Sequence, residues 1–120
     1  MKTWAVVGLG NNPERAAFGV AKLLQDKGHR IIPVYPRAET VHGEVGYKTL
    51  SEIPGPVDVV DCFVNSTLVG KVVDEAIAIG AKAIWLQSDV IDNDAIARAQ
   101  AAGLVTVMDR CPAIEYRKKS

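Results

Sequence analysis

Paired thiols are missing from this chain. Its two cysteines, Cys62 and Cys111, stand far apart with no C-x-x-C spacing. That excludes zinc-ribbon and thioredoxin-like centres, which need closely spaced thiols, and lone free thiols fit a reducing compartment. Net charge is missing too, since 14 Lys plus Arg offset 14 Asp plus Glu. A balanced chain offers no general electrostatic attraction to nucleic acid or to an anionic membrane, although a local cationic patch can still hold a phosphate. No apolar run approaches the ~20 residues of a membrane helix, and the first residues lack the basic-then-apolar layout of a signal peptide. The sequence therefore predicts a cytoplasmic protein with no membrane or nucleic-acid partner. Asn65-Ser66-Thr67 fits the glycosylation sequon, which has no meaning without secretion.

A catalytic grouping is also absent, because no nucleophile, base and orienting acid come together in the sequence. His29 precedes a strand-like run at the end of a sheet away from any ligand crevice, and His42 lies in a weakly patterned stretch. Both read as structural or solvated. Cys111, beside Asp109 and Arg110, reads as a thiol buried against the last strand, with activation by the guanidinium as the alternative. Asp58 and Asp61 have odd spacing on a strand, so they face opposite sides and cannot form a carboxylate pair. No metal site is expected, and the chain reads as a non-catalytic binding protein.

What the chain has is alternation. Apolar residues make up 48% and charged residues 23%, ordinary values for a globular protein, and 120 residues suffice for one self-supporting core. Short apolar runs at Trp4 to Val7, Ile31 to Tyr35, Val57 to Val64, Ala83 to Leu86 and Val105 to Met108 predict strands. Between them, helical stripes cover Ala16 to Lys27, Ser66 to Ile79 and Asp94 to Ala102, each followed by a glycine: Gly28, Gly80 and Gly103. Ser66 or Thr67 is expected to cap the middle helix, with Leu68, Val69, Val72, Val73, Ala76 and Ile77 on its inner face. Pro33 predicts a short or interrupted second strand. Residues 38–56 are weakly patterned, with a small strand at Val45-Gly46-Tyr47 and one helical turn at Leu50 to Ile53. After Pro112 a tail follows, ending in Arg117-Lys118-Lys119. Strands separated by helices imply right-handed crossovers. The expected fold is α/β, a single Rossmann-like doubly wound domain with a mainly parallel sheet over residues 1–120.

The first strand opens into Gly8-Leu9-Gly10-Asn11-Asn12-Pro13. A glycine-rich strand-to-helix turn lets backbone amides approach a diphosphate, while the tip of the second strand selects the ribose decoration. An acid there bonds a bare ribose hydroxyl, but this chain has Pro36-Arg37, and a guanidinium attracts a ribose phosphate. The candidate ligand is a phosphorylated adenine nucleotide: coenzyme A first, NADP second. Pro13 occupies the third glycine's place in the dinucleotide fingerprint, so a longer loop, Gly10 to Ala17, is expected before close helix contact at Gly19. Arg15 lies in the loop that would face the diphosphate. Asn65, after the third strand, either contacts adenine or the pantetheine chain or simply caps a helix. Gln87 and Ser88 close the fourth strand and would line the same crevice.

Several runs in order resemble a known family: Val6 to Arg15, Gly19-Val20-Ala21, Ile32 to Arg37 with Tyr35, Gly43, Val57 to Asp61, Ala83 to Gln87 and Met108 to Pro112. They look like the small stand-alone CoA-binding proteins, similar to the N-terminal domain of the succinyl-CoA synthetase alpha subunit. The resemblance implies a Rossmann-like domain holding coenzyme A at the strand ends. Gly8, Gly10 and their neighbours would lie along the diphosphate and Arg37 near the 3′-phosphate. It further implies binding without ligase chemistry. Where the family usually has Asn-Pro-Lys, this chain has Tyr35-Pro36-Arg37, which keeps the cation and loses the asparagine. Where the family commonly has arginine after the third strand, Val64-Asn65 removes a cation.

Overall fold

The computed structural model describes residues 2–110 of the chain. Eight main elements alternate: β1 (Thr3–Val7), α1 (Ala16–Asp26), β2 (Arg30–Val34), β3 (Val59–Cys62), α2 (Ser66–Ala78), β4 (Ala83–Leu86), α3 (Asn93–Ala101) and β5 (Val105–Val107). A single 3-10 turn, Leu50–Glu52, lies between β2 and β3. All strand pairs are parallel and the sheet order is β2-β1-β3-β4-β5. The chain first builds outward from β1 to β2, then returns to add β3 on the other side of β1. The carboxyl ends of β1 and β3 therefore form a topological switch point, the place where such sheets open a crevice. This is the Rossmann-like α/β fold that the alternation predicts.

Side-chain alternation divides the core into two layers. Trp4, Val6 and Val59 pack with Ala17, Val20, Ala21 and Leu24 of α1, while Ala5, Val7, Val60 and Cys62 pack with residues of α2 and α3. The inward positions of α1 follow an i, i+3, i+4, i+7 pattern, which is what makes this short segment a core-facing helix. On α2, Val69, Val73 and Ala76 are buried, whereas Leu68, expected inward, is 57% exposed because it falls one position off that stripe.

Pro33 does not interrupt the ladder to β1. It pairs with Val6 on the edge strand, and its carbonyl points outward to accept the Tyr47 N–H at 2.9 Å. Its missing N–H therefore lies on the side away from β1, where a strand tolerates proline. The small strand expected at residues 45–47 reduces to one bridge, Val34 to Tyr47. The third strand is shorter than its apolar run, since Val57 is buried without joining the ladder. Asn65, rather than Ser66 or Thr67, caps α2: its side chain accepts the Thr67 N–H at 3.0 Å. Cys111, Pro112 and the basic tail lie outside the described residues. Among the described residues, no helix is long and apolar enough to cross a membrane.

Candidate functional site

The turn after β1 is held from both sides. The Gly8 N–H donates to the Val34 carbonyl and the Phe63 N–H to the Val7 carbonyl, both at 2.8 Å, so loops after β1, β2 and β3 converge. Gly8 has φ +98, and a Cβ there would stand 2.6 Å from the Phe63 carbonyl oxygen. Only glycine fits this crossing. Beyond it, Asn12 folds the loop back on itself, accepting the Arg15 N–H at its carbonyl and the Glu14 N–H at its side chain.

Next comes α1, with Arg15 as N-cap. Arg15 makes no side-chain cap bond and the first turn has no acid, whereas α2 and α3 are capped by Asn65 and Asp92. The first amides of any helix lack intrahelical partners and carry the positive end of its dipole. The N-cap Arg15 lines a cavity of about 240 Å³ together with Gly8, Gly10, Asn11, Asn12, Tyr35, Arg37 and Glu39. Seven of the residues singled out from sequence thus surround one hollow. It is smaller than the roughly 300–1,000 Å³ that encloses a whole drug-sized ligand, so it accounts for one part of a long one. Among the described residues neither Arg15 nor Arg37 is ion-paired.

The other singled-out residues sit elsewhere. Leu9 is fully buried in the α1 layer, so only its backbone can face a ligand. Gly19 lies on the exposed side of α1, and a Cβ there would touch nothing within 4 Å, so the expected close helix contact is absent. Pro36 is exposed outside the hollow, and Asn65 lies outside its lining, with Oδ1 accepting the Thr67 N–H in the cap. Gln87 is buried rather than lining the crevice. With its amide nitrogen toward Asp61, it donates to Oδ1 at 2.7 Å and Oδ2 at 3.2 Å. Burial holds the Asp61 carboxyl well above its ordinary range. It also pushes the Cys62 thiol up, with the Asp61 charge adding to the effect. His42 is tied to the Phe18 carbonyl through Nε2, and His29 accepts the Lys2 N–H.

Two features were not read from sequence. Glu39 enters the cavity from the segment after β2, and its Oε1 accepts the Asn11 N–H at 2.8 Å. The signal available was an acid two positions beyond the arginine at the strand tip. A second hollow, about 190 Å³, has Val7, Val34, Leu50 and Val72 along it with Lys48, Lys71 and Glu75 around it. Val7 and Val34 belong to the α2 layer, while their neighbours Gly8 and Tyr35 line the first hollow. The two hollows therefore meet the ends of β1 and β2 from opposite faces of the sheet.

Together the fold and this crevice define a Rossmann-like α/β domain with a glycine-built first turn. Residues 2–117 match the CoA binding domain family, and the chain belongs to that family. It is 34% identical to the Bacillus subtilis (strain 168) protein YneT over 110 residues, covering 92% of this chain and 82% of that one. It is 35% identical over 81 residues to the alpha subunit of an ADP-forming acetate–CoA ligase II from Pyrococcus furiosus. That match covers 67% of this chain but only 18% of the ligase subunit. Among solved structures, a hypothetical protein from Pyrococcus horikoshii OT3 superposes with a TM-score of 0.93 at 38% identity, covering 98% of this chain and 82% of its own.

Proposed function

We propose that this protein binds coenzyme A or an acyl-CoA and performs no chemistry on it. The observation that carries the reading is the convergence of the glycine turn, the N-cap Arg15 of α1 and Arg37 on one hollow at the carboxyl ends of β1 and β2. In this reading the diphosphate lies over Gly8 to Asn12 and the first amides of α1, with Arg15 beside it. Arg37 takes the 3′-phosphate as a charge-assisted hydrogen bond. The second hollow, apolar along its floor and reached from the same strand ends, takes the adenine ring. Family membership supports the ligand class, and the engagement of both histidines in hydrogen bonds supports a binding role without catalysis.

Arg37 would serve the ribose phosphate of NADP equally well, so a nicotinamide-dependent redox module is the second reading. Pro13 in the third glycine's place, with the next glycine, Gly19, exposed and without close contact, weighs against it. Native mass spectrometry of the protein with equimolar CoA and NADP separates the two. A CoA adduct in excess is expected, and an NADP adduct in excess, or no adduct with either, contradicts the proposal.

A further inference from the structure

Among the described residues, Glu39 is the one anion lining a hollow otherwise furnished for anions. Its placement is built by the backbone. Ala38 adopts φ 51, its N–H closes a turn on the Tyr35 carbonyl at 2.8 Å, and this reversal sends residue 39 back toward the glycine loop. Gly46 then packs directly on the Glu39 backbone carbonyl, in a contact that leaves no room for a Cβ. The main chain at residue 39 is thus fixed, and only the side chain is free to exchange positions. That side chain ends at the Asn11 N–H, 2.8 Å away, and a Cβ at Gly10 would stand 3.0 Å from the same oxygen. The absent side chain at Gly10 is what lets an anionic oxygen reach the loop.

Resting on the proposed coenzyme reading, we propose that Glu39 is a built-in stand-in for the ligand's diphosphate. In the free protein its carboxylate occupies the loop amide that a phosphate oxygen takes in the complex, so binding proceeds by exchange of one anion for another. Carboxylate and phosphate oxygens are both acceptors for a single N–H, and two anions cannot share it. The incoming diphosphate wins because it also engages Arg15 and the start of α1, neither of which Glu39 bonds. Glu39 therefore lowers the affinity for diphosphate-bearing ligands and keeps isolated single anions out of the loop.

The test compares wild type, Glu39→Gln and Glu39→Ala by calorimetry with CoA and with inorganic pyrophosphate, alongside the Asn11 amide signal by NMR. Losing one competing hydrogen bond should tighten CoA binding about threefold to tenfold in Glu39→Ala, with Glu39→Gln in between. The Asn11 amide should shift when Glu39 is truncated and shift again when wild type takes CoA. Unchanged or weaker CoA binding in both variants overturns the proposal, since it makes Glu39 a bystander or a ligand contact. If no protein binds CoA, the proposed function fails by itself, and pyrophosphate still decides the role of Glu39. A gain of pyrophosphate binding in Glu39→Ala supports the stand-in, and no gain refutes it.

Discussion

Replacing Gly8 by alanine tests the crossing on which the whole crevice is built. At φ +98 an L-residue is strained by about 1–3 kcal/mol. The new Cβ would also stand 2.6 Å from the Phe63 carbonyl oxygen, 3.1 Å from its carbon and 3.2 Å from the Phe63 Cβ. The backbone has little freedom to yield, because Gly8 is tied to Val34 and Phe63 to Val7 by 2.8 Å hydrogen bonds. Forcing such an overlap costs about 1–3 kcal/mol more. The sum is on the order of 2–6 kcal/mol, and a domain of this size loses about 4 °C per kcal/mol, so Tm should fall by roughly 8–24 °C. Differential scanning calorimetry reads this directly. A Tm within 2 °C of wild type would show that the β1, β2 and β3 loops are not locked together as described.

Gly19→Ala should do the opposite: in an exposed helix interior with open space around it, alanine adds about 0.5–1 kcal/mol of stability and leaves CoA affinity unchanged. A loss of affinity measured by calorimetry would restore Gly19 to the ligand site. Asp61→Asn should gain stability relative to wild type as pH rises. The folded carboxyl titrates well above the ordinary 3.8, so its contribution is complete below that value and is lost as pH climbs through the raised one. Denaturant melts at several pH values check this, and a difference between the two proteins that does not vary with pH contradicts it.

The strands were legible because each short apolar run is followed by a turn signal, and Ala83–Leu86 falls where its pattern ends. The run at 57–64 overstates its strand because apolarity reports burial and not pairing: Val57 is buried outside the ladder. Arg15 and Arg37 were legible as neighbours because parallel topology alone brings the ends of β1 and β2 together. Glu39 was not, since its approach depends on a left-handed turn at Ala38, and alanine gives no sequence signal for that conformation. Gly19 misled because it sits between Phe18 and Val20 without sharing the inward stripe of Ala17, Val20, Ala21 and Leu24. Gln87 required register: β3 and β4 pair Asp61 with Trp85, which brings the next residue on that face of β4 beside the Asp61 carboxyl. Neither periodicity nor composition carries register, so the buried pair emerges only from the folded sheet.

The central claim is that Arg37 recognises a ribose phosphate, and paired titrations of wild type and Arg37→Ala with CoA and 3′-dephospho-CoA test it most directly. A charge-assisted hydrogen bond of about 1.5–3 kcal/mol predicts that wild type prefers CoA by roughly tenfold to a hundredfold and that Arg37→Ala loses most of that preference. Equal affinity of wild type for the two ligands, or a preference that survives in Arg37→Ala, would contradict it.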